Sequence, residues 1–115
     1  MFKHIDPQWE VSAQEVKSRL DKGEDFVLLD VRQPEEADMC RIDGSHLFPL
    51  PSLQQQVEEI RGLTNGRPIV TYCHHGHRSV QAAAILRESG LGRVMSMAGG
   101  IDSWSVTVDA SVGRY

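Results

Sequence analysis

The amino-acid sequence predicts an α/β fold, a mostly parallel sheet with helices on both faces, and three observations carry that prediction. Short apolar or β-branched runs at residues 26–31, 69–72 and 93–97 alternate with segments that carry helix-start signals. The run Phe26-Val27-Leu28-Leu29-Asp30-Val31 is broken by a single charge and is too short for a helix, the pattern of a central strand covered on both faces. With 115 residues, 40% hydrophobic and 24% charged, the chain can build one core, and no repeat, linker or low-complexity tract divides it. Strands joined through helices in this way imply right-handed crossovers.

Taken in order, residues 9–11 suit a short edge strand. Ser12 with Glu15 forms a capping box and Val11 with Val16 a hydrophobic staple, so a helix starts at Ser12 and stops before Gly23. Pro34 at a first helical position, followed by Glu35 and Glu36, starts a brief second helix. Leu47 and Phe48 form a short strand closed by Pro49 and Pro51. Ser52 with Gln55 repeats the capping-box pattern, and Leu53, Val57 and Ile60 give one apolar stripe that ends before Gly62. Ile69 to Tyr72 form a strand, Ser79 caps the alanine-rich helix 81–86 that Gly90 closes, and residues 93–97 form the last strand before the turn at Gly99 and Gly100.

Composition removes several classes of function. A formal net charge of −4 without any Lys/Arg block argues against nucleic acid as a partner. No run has the length of a membrane span, and residues 1–6 lack the apolar stretch of a leader. Two cysteines provide no disulfide framework and suit a reducing compartment, with cytoplasm as the expectation.

The chemistry gathers in Cys73-His74-His75-Gly76-His77-Arg78-Ser79, where a strand ends on a cysteine and a basic loop opens a helix. Open α/β sheets place ligands at that end of their strands. A loop curling from Cys73 to Arg78 can turn its N–H groups inward as an anion nest, to which the helix N-terminus and the Arg78 guanidinium add. All three favour a thiolate, and Gly76 permits the tight curl. A buried inert thiol needs neither Gly76 nor Arg78, so Cys73 reads as a nucleophile, whereas Cys40, beside Met39 and outside any such loop, reads as packing. Arg78 can offer a planar fork to a sulfonate-like group, and His74, His75 and His77 line the mouth. Four-ligand convergence of Cys73 with the three histidines is disfavoured because alternate side chains of a nest point outward, so no metal is expected. Asp30 and Arg32 read as loop-supporting charges at a strand end.

Cys73, Gly76, Arg78 and Ser79, with Asp30-Val31-Arg32, Pro34 and Glu36 upstream and Gly99-Gly100-Ile101-Asp102-Ser103-Trp104 downstream, resemble the three motifs of the rhodanese sulfurtransferase family. The resemblance implies one rhodanese-like domain over residues 1–115, with its core at about residues 9–105 and a tail at 106–115, and five strands ordered 1-5-4-2-3 with the Cys73 strand in the middle. It further implies transfer of sulfane sulfur from a small anionic donor such as thiosulfate through a Cys73 persulfide, with His74, His75, Gly76, His77, Arg78 and Ser79 binding substrate and no cofactor. After Glu36 the family pattern has an aromatic and then a Gly-His-Ile-x-Gly-Ala run, where this chain has Ala37 and then Cys40, Arg41, Ile42, Gly44 and Ser45, keeping the isoleucine and the glycine before Ser45. The departure affects packing at the second crossover and leaves the loop untouched.

Two other readings share these residues. Phosphatases and arsenate reductases with a Cys-to-Arg anion loop enclose five residues between the two, whereas Cys73 and Arg78 enclose four. A non-catalytic binding module of the same fold would be expected to lack the cysteine. Finally, Cys73-His74-His75-Gly76, Gly100-Ile101-Asp102-Ser103-Trp104-Ser105 and the tail Val108-Asp109-Ala110-Ser111-Val112-Gly113-Arg114-Tyr115 resemble rhodanese domains fused behind adenylyltransferases. That resemblance implies a sulfur-carrier protein and an adenylyltransferase as partners; with no adenylyltransferase ahead of the domain in this sequence, supply of sulfur in trans is the expectation, with sulfide or cyanide detoxification as the alternative.

Overall fold

The computed structural model describes residues 5–115; the part of the leader reading that concerns residues 1–4 lies outside them. Five parallel strands form one sheet, β1 (Glu10–Val11), β2 (Val27–Asp30), β3 (His46–Leu47), β4 (Ile69–Tyr72) and β5 (Val94–Met97), in the order 1-5-4-2-3. Five helices connect or follow them: α1 (Ala13–Asp21), α2 (Pro34–Met39), α3 (Val57–Thr64), α4 (His77–Glu88) and α5 (Gly100–Thr107). Among the described residues no helix is long and apolar enough to cross a membrane.

The period-2 geometry of the strands sends successive side chains to opposite layers. Val27, Leu29 and Ile69 pack with Leu53, Val57, Ile60, Ala82, Ala83 and Leu86 under α3 and α4. Leu28, Val70 and Tyr72 pack with Val11, Val16, Ile101 and Trp104 under α1 and α5. The helices therefore cover both faces, and the unbroken apolar run at β2 serves two cores. β2 lies inside the sheet, between β3 and β4, while β4 occupies its middle.

Two of the helix starts form as expected. Ser12 Oγ accepts from Glu15 N–H at 3.1 Å and caps α1, although the Glu15 carboxylate turns to Arg19. Gln33 N–H donates to Glu36 Oε1 at 3.0 Å at the start of α2. The capping box at Ser52 does not form. Pro49 and Pro51 favour an i→i−3 turn, Ser52 N–H donates to Pro49 O at 3.1 Å, and Leu50–Gln56 is a 3₁₀ helix. α3 starts only at Val57 and passes Gly62 to a left-handed cap at Asn65, φ 48°. The third strand lies one residue earlier than expected, and the turn after β5 leads into a full helix, α5.

At the end of β2 the chain buries an ion pair. Arg32, fully inaccessible, donates from Nε to Asp30 Oδ1 at 2.8 Å and from Nη2 to Asp30 Oδ2 at 2.7 Å and to the Cys40 carbonyl at 2.7 Å. Tyr72 Oη adds a donor to the same carboxylate at 3.2 Å, and burial, with the Asp30 charge, pushes the phenol up to about 12. Losing one partner would strand the other charge without solvent. Asp30→Asn is therefore expected to cost about 3–5 kcal/mol of folding stability; urea unfolding measures it, and a cost within the range of a surface substitution would refute the accounting.

Candidate functional site

Tyr72 ends β4, and Cys73 follows with its side chain buried at 1% exposure. The loop then reverses at Gly76, whose φ of 107° is open to glycine and costly for other residues. That turn aims two backbone donors at the sulfur: Gly76 N–H at 3.1 Å and Ser79 N–H at 3.4 Å. Ser79 belongs to the first turn of α4, whose N–H groups have no intrahelical acceptor, so the helix delivers donor and dipole to the same atom. The geometry can hold negative charge on Sγ.

A second helix end shapes the loop from outside. Ile101 N–H of α5 donates to Cys73 O at 2.8 Å and Asp102 N–H to His74 O at 3.1 Å. These bonds turn the loop carbonyls away from the sulfur. They need Gly100, at φ 60°, because a Cβ there would lie 2.4 Å from both carbonyl oxygens.

Several expectations need correction. Ser79 does not cap α4: the helix begins at His77 with Gly76 before it, because the left-handed turn already supplies the reversal that a cap residue would. Nor does Ser79 face the opening. It is fully buried, with Oγ 3.5 Å from Cys73 Sγ and 2.7 Å from Ser96 Oγ. Arg78 is not a free fork. Nη1 and Nη2 bind Glu36 Oε1 and Oε2 at 2.6 and 2.9 Å, a bidentate pair across 42 residues of chain. Those bonds, helped by Tyr115 Oη at 2.6 Å, hold the Glu36 carboxyl down at about 2 against the opposing effect of burial.

The three histidines part company. The ring of His74 is stacked between His75 and Tyr115, each centroid 3.9 Å away, and its buried Nε2 has no hydrogen-bond partner among the described residues. Burial, reinforced by His75, lowers its pKa and favours the neutral ring. His75 is exposed, with Nε2 3.9 Å from Asp102 Oδ2. His77 points to another side, beside Gly76 and Val80 in a hollow of about 420 Å³ that also meets Asp6, Trp9 and Glu10. The donor atoms of His74, His75 and Asp102 do come together, without Cys73 or His77. Yet Arg114 already binds the Asp102 carboxylate at 2.8 and 3.3 Å, and only three donors are gathered among the described residues. That arrangement fits a tetrahedral ion poorly.

Four residues at the site were missed as partners. Glu36 was visible as part of a motif and as an N-terminal helix acid, but nothing local pairs it with Arg78. Asp102 and Tyr115 likewise stood in motifs without any sign of their partners, and Ser96 carries no local signal at all. Tyr115 bridges Arg32 Nη1 (3.0 Å) and Glu36, so a segment that reads as tail closes one wall of the site. Cys40, half-buried and remote from the nest donors, packs beside the α1/α5 core as expected.

The comparisons with known proteins can be set beside this geometry. Residues 12–107 match the family described as Rhodanese-like domain. A protein named Sulfurtransferase from Allochromatium vinosum is 34% identical over 96 residues, covering 84% of this chain and 87% of its own length. The probable adenylyltransferase/sulfurtransferase MoeZ of Mycobacterium tuberculosis is 33% identical over 105 residues, 91% of this chain, but the chain spans only 26% of that relative. Among solved structures, the human single-domain sulfurtransferase TSTD1 superposes with a TM-score of 0.72 at 28% identity, over 85% of this chain and 96% of its own.

The Glu36 pair has a pH signature. A carboxyl held below its ordinary value near 4.5 adds stability that is complete above that value and is lost as pH falls toward about 2. Comparing wild type with Glu36→Gln by urea unfolding, the wild-type advantage should be present at about pH 6 and shrink by about pH 3. An advantage independent of pH would show that the pair contributes through packing alone.

Proposed function

The chain belongs to the rhodanese-like domain family, and from that premise we propose that it is a sulfurtransferase whose Cys73 carries sulfur as a persulfide. The observation that carries the reading is the convergence of Gly76 N–H, Ser79 N–H and the Ser79 hydroxyl on one buried sulfur at the end of the central strand. In the first half-reaction Cys73 thiolate attacks the outer sulfur of thiosulfate. The new S–S bond forms on Cys73 as the donor's S–S bond breaks, and sulfite leaves with the electron pair. In the second, a nucleophile takes the outer sulfur and the electron pair returns to Sγ, where the same donors receive it. Cyanide would leave as thiocyanate, and a thiol as a persulfide.

Arg78 enters this reaction with Glu36 attached. Its guanidinium stabilises the edge of the loop, and an anionic donor meets an ion pair rather than a free cation, so the loop N–H groups and the dipole of α4 bear most of the leaving-group charge. Four residues between Cys73 and Arg78, rather than five, favour sulfur donors over phosphate. The relative named adenylyltransferase/sulfurtransferase supports a sulfur-carrier protein as acceptor, its C-terminal carboxylate activated by an adenylyltransferase. Two free thiols support a reducing, cytoplasmic setting.

Intact mass spectrometry tests the carrier role. Incubation with thiosulfate should add the mass of one sulfur that cyanide removes; Cys73→Ser should abolish the adduct and Cys40→Ser should keep it. An adduct mapped to Cys40 would sink the reading. The acceptor is tested by mixing persulfidated protein with an adenylyltransferase and a carrier protein from the same source and following thiocarboxylate by mass. Formation no faster than with free sulfide would reject the carrier while leaving the sulfurtransferase standing.

A further inference from the structure

We propose that Ser96 is a positioning residue for the Cys73 sulfur, acting through the hydroxyl of Ser79; this rests on Cys73 being the reacting group. Ser96 lies on β5, opposite Thr71 of β4 in the parallel register, and is fully inaccessible. The first turn of α4 packs above it, and the two serine hydroxyls meet at 2.7 Å. Thr71 Oγ1 donates to the Ser79 carbonyl at 2.8 Å, which pins that turn over the sheet. Two strands and a helix thus spend three buried hydroxyls around one sulfur, in an interface otherwise filled by Val94, Ala82 and Ala83.

Counting protons orders the pair. Each hydroxyl has one proton to donate, and a buried donor without an acceptor is unfavourable. Among the described residues Ser79 Oγ is the one hydrogen-bond partner of Ser96 Oγ. If Ser79 donated to Ser96, the Ser96 proton would have nowhere to go. In the thiol form Cys73 S–H donates to Ser79 Oγ at 3.5 Å; once the sulfur has lost that proton, Ser96 donating to Ser79 leaves the Ser79 proton to turn to Sγ. Both protons are then used, on condition that the sulfur accepts, and a thiolate accepts far better than a thiol. Ser96 therefore gives the chain its direction and polarises the Ser79 hydroxyl, so that Sγ receives a third donor beside Gly76 N–H and Ser79 N–H. The same donor waits for the electron pair that returns to Sγ when an acceptor removes the outer sulfur.

Alkylation of Cys73 by iodoacetamide, followed from about pH 5 to about pH 9 in a Cys40→Ser background, reads the charge on the sulfur whether or not sulfur transfer occurs. Ser96→Ala should move the half-maximal rate to higher pH and slow the reaction at neutral pH by roughly threefold to tenfold, the scale of one buried hydrogen bond. Ser96→Thr, which keeps the hydroxyl on a strand, should stay close to wild type. Ser79→Ala should have the larger effect, and adding Ser96→Ala to it should change nothing further, because the route through Ser79 is already cut. A pH profile unmoved by Ser96→Ala, or effects of the two substitutions that multiply, would overturn the proposal. A Ser96→Ala protein that melts earlier with its pH profile intact would likewise make Ser96 a packing residue. Failure of thiosulfate to load Cys73 is read separately, by mass, and bears on the sulfurtransferase reading alone.

Discussion

Two helix N-termini converge on a single seven-residue loop, and the site depends on that meeting. α4 supplies N–H donors from inside, toward Cys73 Sγ, while α5 supplies them from outside, to the carbonyls of Cys73 and His74. A peptide loop has as many acceptors as donors, so a nest for an anion requires that its carbonyls be bound elsewhere. Here α5 binds them, and Gly100 makes the approach sterically feasible. The turn glycines and the nucleophile loop, far apart in sequence, are two halves of one electrostatic device.

Around that device the positive charges are largely committed. Arg32 binds Asp30, Arg78 binds Glu36 and Arg114 binds Asp102, while His74 is pushed toward neutrality by burial. Tyr115 ties two of these pairs together through its hydroxyl and rests its ring on His74. The site is therefore less cationic than a count of its basic residues suggests. The N–H groups aimed at Cys73 Sγ, those of Gly76 and Ser79, are backbone: fixed dipoles that would need no reorganisation if negative charge developed there. Guanidinium groups serve chiefly to hold the walls.

The buried hydroxyls fit the same logic. A core this small gains most from apolar packing, yet Thr71, Ser79 and Ser96 remain polar where β4, β5 and α4 meet. Fully bonded, such a cluster costs little and fixes geometry; partly bonded, it would weaken the core. It reaches the sulfur through Ser79, whose Oγ lies 3.5 Å from Cys73 Sγ.

The strand pattern, the alternation with helices and the loop itself were legible in the residues, because each rests on neighbours close in sequence. The unbroken apolar run at residues 26–31, the cap at Ser12 and the proline at Pro34 are local effects, and the motifs at Asp30, Cys73 and Gly99 led to the strand order through family resemblance. Where several local signals competed, as at Ser52 just after Pro49 and Pro51, the prolines prevailed through their fixed φ and missing donor. By itself the sequence determined which residue is the nucleophile candidate and which end of the sheet bears it. Only the tertiary structure decided what each polar side chain does there: that Arg78 faces Glu36, that Ser79 faces inward to Ser96, and that Tyr115 closes a wall. Hydrogen-bond partners 17, 42 and 79 residues apart are chosen by packing of whole elements, and no local pattern encodes that choice.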